Sequence, residues 1–279
     1  MFLAIREKLN NAFARLDTIS HDNSDLNEKT WFEIQPCSKL KLFGSEVVIT
    51  QPSSTFLVYL LGVLTTAVGV YYLAIQEGEL SRLLWGWSLI LWGVGALLAG
   101  TSYQAFGYQL KCKGRETCRW TSWWEVIYMM FQQVSMNLML VAVSASCTEG
   151  VLFWLTVIYA VFSSIIYMFM TFIGGLKPIK SWITFERMVW TCAPVMAFFM
   201  ILNGWRFFTL GTDIDLMLLG SWALLWLTMI SFWIYDYFGW TKALWESKKI
   251  WFSENDALHV VLIVWAVYLI FMAPYITDF

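Results

Sequence analysis

The sequence predicts an all-α fold, a polytopic integral membrane protein built as a bundle of seven transmembrane helices, and three observations predict it. The first is composition: 59% of the 279 residues are apolar and 14% charged, where a soluble domain carries about a quarter charged residues. Its 21 Phe, 18 Trp and 12 Tyr outnumber its 18 basic and 20 acidic residues together, and the mean hydropathy is +0.60. The second is that seven stretches are long and apolar enough to cross a hydrocarbon core, which takes roughly 20 helical residues. The third is that the basic residues lie almost entirely on one side of those stretches. The composition excludes a disordered chain, a nucleic-acid-binding protein and a disulfide-stapled secreted module.

Residues 1–50 precede the first span and form a unit of their own. Phe2, Ile5, Leu9, Phe13 and Leu16 recur at helical spacing with Arg6, Lys8 and Arg15 off the stripe. That pattern predicts an amphipathic helix lying on an anionic leaflet, with a partner-binding helix as its rival. The segment lacks the uninterrupted apolar core of a signal peptide. His21 to Lys29 is loop-like, and the alternation from Trp31 to Thr50 predicts a short hairpin or extended strip.

Residues 51–279 form the membrane domain. Its spans are placed at 55–76, 83–108, 122–146, 151–175, 185–208, 214–238 and 257–277, joined by short connectors. Gly62 and Gly69 in the first span, and Gly86, Gly93, Gly95 and Gly100 in the second, predict close helix approach. Pro194 predicts a single kink in the fifth. No internal repeat and no pair of interrupted helices points to a transporter. Tryptophans such as Trp85, Trp92, Trp124, Trp222 and Trp233 read as an interfacial aromatic belt or as ligand-facing helix faces.

Orientation follows from charge. Sixteen of the 18 basic residues fall before the first span or in the connectors after the second, fourth and sixth. Only Arg82 and Arg206 lie on the other side. The positive-inside rule then sets the N-terminus in the cytoplasm and the C-terminus outside. Cys112 and Cys118 share a connector on the cytoplasmic side, where thiols stay reduced, so inert thiols are expected.

Polar residues within membrane helices are costly and each needs a reason. They gather at the cytoplasmic ends. Ser102 and Gln104 close the second span. Glu125, Tyr128 and Gln132 share one face at the start of the third. Glu254, Asn255, Asp256 and His259 open the seventh. Asp256, three residues before His259, would orient the ring as it does in a base or metal ligand, or would instead cap the helix with Ser253. The chain has no lysine for a retinal Schiff base in its last span, too few histidines for paired haems, and no nucleotide-binding glycine loop.

These residues resemble a family. Seven helices with polar sites at the end of the second and the start of the third and seventh resemble the superfamily of alkaline ceramidases and progestin/adiponectin-receptor relatives, most closely an uncharacterised bacterial seven-helix group. That group opens its last helix with a pattern like Phe-Asn-His-Asn-Asp-x-x-His. Here the stretch runs Phe252-Ser253-Glu254-Asn255-Asp256-Ala257-Leu258-His259. Ile49-Thr50-Gln51-Pro52 and Gly100-Thr101-Ser102-Tyr103-Gln104-Ala105-Phe106-Gly107 are also similar.

The resemblance implies a zinc ion on three histidines, one from the second helix and two from the seventh, an acid on the third, and amide hydrolysis of a lipid. The sequence departs from it at two ligands, since Gln104 and Glu254 stand where histidines would and only His259 matches. Candidate catalytic residues are His259, Asp256 and Glu125, and candidate metal ligands His259 and Glu254. Ser102, Gln104, Tyr128, Gln132 and Asn255 are candidate ligand-binding residues. The expectation is a non-catalytic membrane subunit, scaffold or lipid-binding protein, with membrane lipids and other membrane subunits as partners, in a bacterial inner membrane. The alternative is a metal-dependent hydrolase of lipid amides or esters.

Overall fold

The computed structural model describes residues 2–42 and 44–279. Helix α1 (Phe2–Ala14) leads through a 3-10 turn to a short α2 (Trp31–Ile34) and a hairpin of β1 (Cys37–Leu42) and β2 (Ser45–Thr50). The strands are antiparallel, with Cys37 opposite Thr50 and Leu42 opposite Ser45. Then follow α3 (Pro52–Ala74), α4 (Leu80–Gly100), α5 (Trp123–Cys147), α6 (Gly150–Leu176), α7 (Phe185–Leu210), α8 (Asp213–Tyr237), α9 (Trp240–Lys248) and α10 (Glu254–Met272). Among the described residues seven helices are long and apolar enough to cross a membrane, all of these but α1, α2 and α9.

Among the boundaries that differ from the sequence reading, two do so for clear local reasons. The regular helix of the second span ends at Gly100, and the chain goes on through two π-helical turns, Thr101–Ala105 and Tyr108–Cys112. The seventh span starts at Glu254, earlier than its apolar run, because Ser253 and Asp256 form a reciprocal capping box.

Six of the long helices close a ring: α3 packs on α4, α4 on α5, α5 on α7, α7 on α8, α8 on α10, and α10 back on α3. Helix α6 lies outside it against α5. Accordingly α5 is the most buried span, 67% of its apolar window against 17% for α6. Helix α6 turns Trp154, Phe162, Ile166 and Phe169 outward, as an apolar solvent allows.

Glycine sets the tightest contact. Gly62 faces Gly93 and Gly69 faces Gly86 across the antiparallel α3–α4 pair. A Cβ on Gly69 would sit 2.7 Å from the Gly86 carbonyl oxygen, and one on Gly93 2.5 Å from that of Gly62. Backbones this close recover the van der Waals contact that drives association where both helices and lipid are apolar.

Inside the ring the aromatic belt expectation fails for its largest members. Trp85 and Trp222 are fully buried; Trp222 stacks on Phe199 with ring centroids 4.1 Å apart, and Trp85 stacks on Trp222 at 6.1 Å. Trp92 packs on Trp265 at 4.9 Å. Trp124 and Trp233 do stand exposed.

The N-terminal segment is stitched across the end of the bundle. Trp120 N–H donates to the Ile19 carbonyl (2.9 Å), His21 N–H to that of Cys118 (2.9 Å), and Cys118 N–H to that of Leu26 (3.0 Å). The side chains of Phe2, Ile5 and Leu9 lie outside the described ones. Of the expected stripe, Phe13 packs on Trp123 and Phe172, and Leu16 is buried. The expected free thiols at 112 and 118 are instead joined as a disulfide. The turn at Gly114, where φ is +71°, folds the connector back so that the two Cα atoms lie 4.3 Å apart.

Gly93→Leu should destabilise the purified protein by about 1–3 kcal/mol or more through overpacking. Gly204→Ala, whose added Cβ meets nothing within 4 Å, should not; thermal unfolding in detergent reads the difference. Burial, helped by Lys111 and Lys180, holds the His21 ring below its ordinary value of 6.5. Folding therefore favours the neutral ring, and its contribution is kept above that value and lost as pH falls below it. Amide exchange at Cys118 and Trp120, corrected for intrinsic rate, should accelerate between about pH 7.5 and about pH 5, and His21→Gln should abolish that change.

Candidate functional site

The end of the bundle that carries the N-terminal segment holds most of the residues singled out in the sequence. The π-helical turns after α4 re-aim side chains that a regular helix would send elsewhere, bringing Ser102 and Lys111 to the first turn of α5. Glu125 is buried there. Its Oε1 accepts from Ser102 Oγ (2.7 Å) and Lys111 Nζ (2.9 Å), and its Oε2 from Thr121 Oγ1 (2.8 Å). The Lys111 ammonium also lies over the Tyr103 ring at 5.0 Å, and Tyr103 meets Tyr128 edge-on at 6.3 Å. With both oxygens engaged, this carboxylate clamps the connector to α5.

At the start of α10, Asp256 Oδ2 accepts from Ser253 N–H (2.7 Å), Ser253 Oγ (3.2 Å) and Ser54 Oγ of α3 (2.8 Å). It is the capping alternative that takes shape. Asp256 Oδ1 and the Nδ1 of His259, one turn on and nine-tenths buried, have no hydrogen-bond partner. Glu254 points elsewhere: it accepts from Thr241 Oγ1 at 2.9 Å and from the adjacent Asn255 at 3.5 Å.

These groups fall into two clusters with α3 between them. Ser54 bonds the α10 cluster, and Tyr59 bonds Thr101 beside the Glu125 cluster at 2.8 Å. Among the described residues no hydrogen bond joins Ser102, Glu125 or Tyr128 to Asp256 or His259. Gln132 donates to the Trp92 carbonyl (3.2 Å), and Gln104 is buried with its Oε1 unpartnered. No group of three or more His, Cys, Asp or Glu among the described residues is arranged to hold a metal ion. Catalytic zinc takes three protein ligands; here His259 stands one turn from Asp256, while Glu254 turns to Thr241.

Glu254 instead lines a cleft of about 530 Å³ that the sequence reading missed. Its walls come from α2, the end of α8, α9 and the segment leading into α10, and include Tyr235, Asp236, Trp245 and Trp251. The signal is present in the sequence as a mixture of Trp240, Trp245 and Trp251 with Lys242, Lys248 and Lys249.

A second polar network lies at the opposite end and also went unread. Arg206 Nε reaches both oxygens of Asp215 (3.0 and 3.2 Å), and its Nη1 donates to the Cys147 carbonyl (2.8 Å). Asn203 donates to Asp215 at 3.0 Å and accepts from Trp222 Nε1 at 2.9 Å. Close by, Arg82 donates to the Ile276 and Ile75 carbonyls, while Asp278 accepts from the Leu80 and Ser81 N–H groups at the α4 N-terminus. The two basic residues that break the charge bias are thus both held by the fold.

Lys111→Met should leave Glu125 buried without its cation and cost about 3–5 kcal/mol, whereas replacing both partners with Met should cost much less. Thermal unfolding of the single and double variants in detergent micelles tests this.

No protein-family model, curated protein or solved structure matches the chain, and the residues above carry whatever function is assigned to it.

Proposed function

We propose that this chain is a non-catalytic integral membrane protein that holds a membrane lipid at the cleft rimmed by α9 and the start of α10, with its N-terminus in the cytoplasm of a bacterial cell. The observation that carries the reading is the contrast between two kinds of polar group. Two of the three expected to be reactive are engaged in the fold: Glu125 accepts from three side chains, and Asp256 Oδ2 caps α10 and bonds α3. Those lining the cleft are exposed, apart from the half-buried Thr241 and Glu254, and lie among aromatic side chains at the end of two spanning helices. Tyr and Trp favour the head-group region because one end of each ring system is apolar and the other polar.

Orientation draws on the sixteen basic residues at this end of the bundle, and the bacterial membrane on the motif resemblance. In this reading the ceramidase-like site is degenerate: Gln104 and Glu254 occupy two ligand positions, and Glu254 serves the cleft. The hydrolase alternative draws on one observation, the buried and unpartnered His259 Nδ1 and Asp256 Oδ1 on the same turn.

Native mass spectrometry of the chain released from mild detergent should find at least one lipid retained, and Trp245→Ala should reduce that retention while His259→Ala leaves it unchanged. Stoichiometric zinc that disappears in His259→Ala, measured by elemental analysis, would instead favour the hydrolase.

A further inference from the structure

The cleft's lining also says which lipid, an inference that rests on the lipid-holding reading. Four carboxylates, Glu33, Asp236, Glu246 and Glu254, face it with two lysines, Lys242 and Lys249. That balance repels a head group that is only anionic. The lysines oppose a bare cation, and among the described residues no three acidic or imidazole groups converge on one point. The lining suits a group carrying both signs at short separation.

Aromatic faces add a preference for the cationic half. Lys249 Nζ lies over the Trp245 ring at 5.4 Å, so this face attracts an ammonium, and the exposed lysine has to swing off it for another to enter. Trp251 packs edge-on against Trp245 at 5.7 Å, and its Nε1 is fixed by Ser54 at 3.1 Å, which makes this wall rigid. Glu254 is held at Oε2 by Thr241 (2.9 Å), while Oε1 has only the long 3.5 Å contact with Asn255 and retains acceptor capacity. A carboxylate with open lone pairs selects an ammonium that still carries hydrogens over a quaternary one. Lys242 is paired with Glu246 at 3.8 Å, both well exposed, and so can turn to a phosphate. On α8, next to the lining residues Tyr235 and Asp236, exposed Trp233 and Ile234 offer apolar surface for acyl chains.

We infer that the cleft receives the head group of a zwitterionic phospholipid of the phosphatidylethanolamine type, its primary ammonium toward Glu254 and the Trp245 face and its phosphate toward Lys242.

The test is native mass spectrometry of the full chain equilibrated with equimolar phosphatidylethanolamine, phosphatidylcholine and phosphatidylglycerol. Phosphatidylethanolamine should be retained about tenfold over phosphatidylglycerol, the scale of one cation–π or charged hydrogen-bond contact. Glu254→Gln and Trp245→Phe, both mild in shape, should each move that ratio toward parity with an unchanged melting temperature. Lipid retained at parity, or with phosphatidylcholine or phosphatidylglycerol preferred, would overturn the head-group inference and leave the lipid-holding reading standing. Failure to retain any lipid would overturn both. Glycerophosphoethanolamine binding as tightly as the lipid would identify a soluble ligand and overturn the membrane source.

Discussion

Helix α5 is pinned at both ends by a buried ion pair, and the ring of helices is arranged about it. At its first turn Glu125 meets Lys111 from the π-helical extension of α4; at its last turn the Cys147 carbonyl accepts from Arg206, which also grips Asp215 at the start of α8. An unpaired charge in this environment would cost several kcal/mol. Each pair therefore restricts the bundle to arrangements that keep both partners together. The same two contacts fix where α4, α7 and α8 sit relative to α5, and with them the aromatic core of Trp85, Trp222 and Phe199.

Between those clamps, packing needs small residues more than large ones. Lipid tails are as apolar as leucine, so burying a leucine from lipid gains little, and close backbone contact has to supply the attraction. The paired glycines of α3 and α4 do this, and the pair in turn positions Ser54 and Tyr59 at one end. Through Ser54, α3 holds the capped start of α10 and the indole of Trp251. One wall of the cleft is thus set by a helix that contributes no side chain to its lining.

Much of this was legible in the sequence. Span number and the glycine contact follow from patterns that are local and periodic, and the capping box was one of two readings of Ser253 and Asp256. What was not legible depends on partners far apart in the chain. Trp85 and Trp222 look like belt residues because an apolar helix gives no sign of which face turns inward; only closure of the ring buries them. Cys112 and Cys118 read as free thiols on compartment grounds, but the turn between them sets their Cα atoms 4.3 Å apart. Glu125 and His259 read as one site because both lie at the same end of the membrane, and α3 stands between them.

The sequence by itself determined that the chain spans a membrane seven times and which helix ends are polar, because hydrophobic thickness and the cost of buried charge act on each segment separately. Tertiary structure decided which polar groups are engaged and which are open. Lys111 and Arg206 engage Glu125 and Asp215 from other segments, and Ser54 engages one oxygen of Asp256 while the other stays open. Glu254, a misplaced ligand by sequence, becomes part of a cleft only because α2, α8 and α9 meet it there.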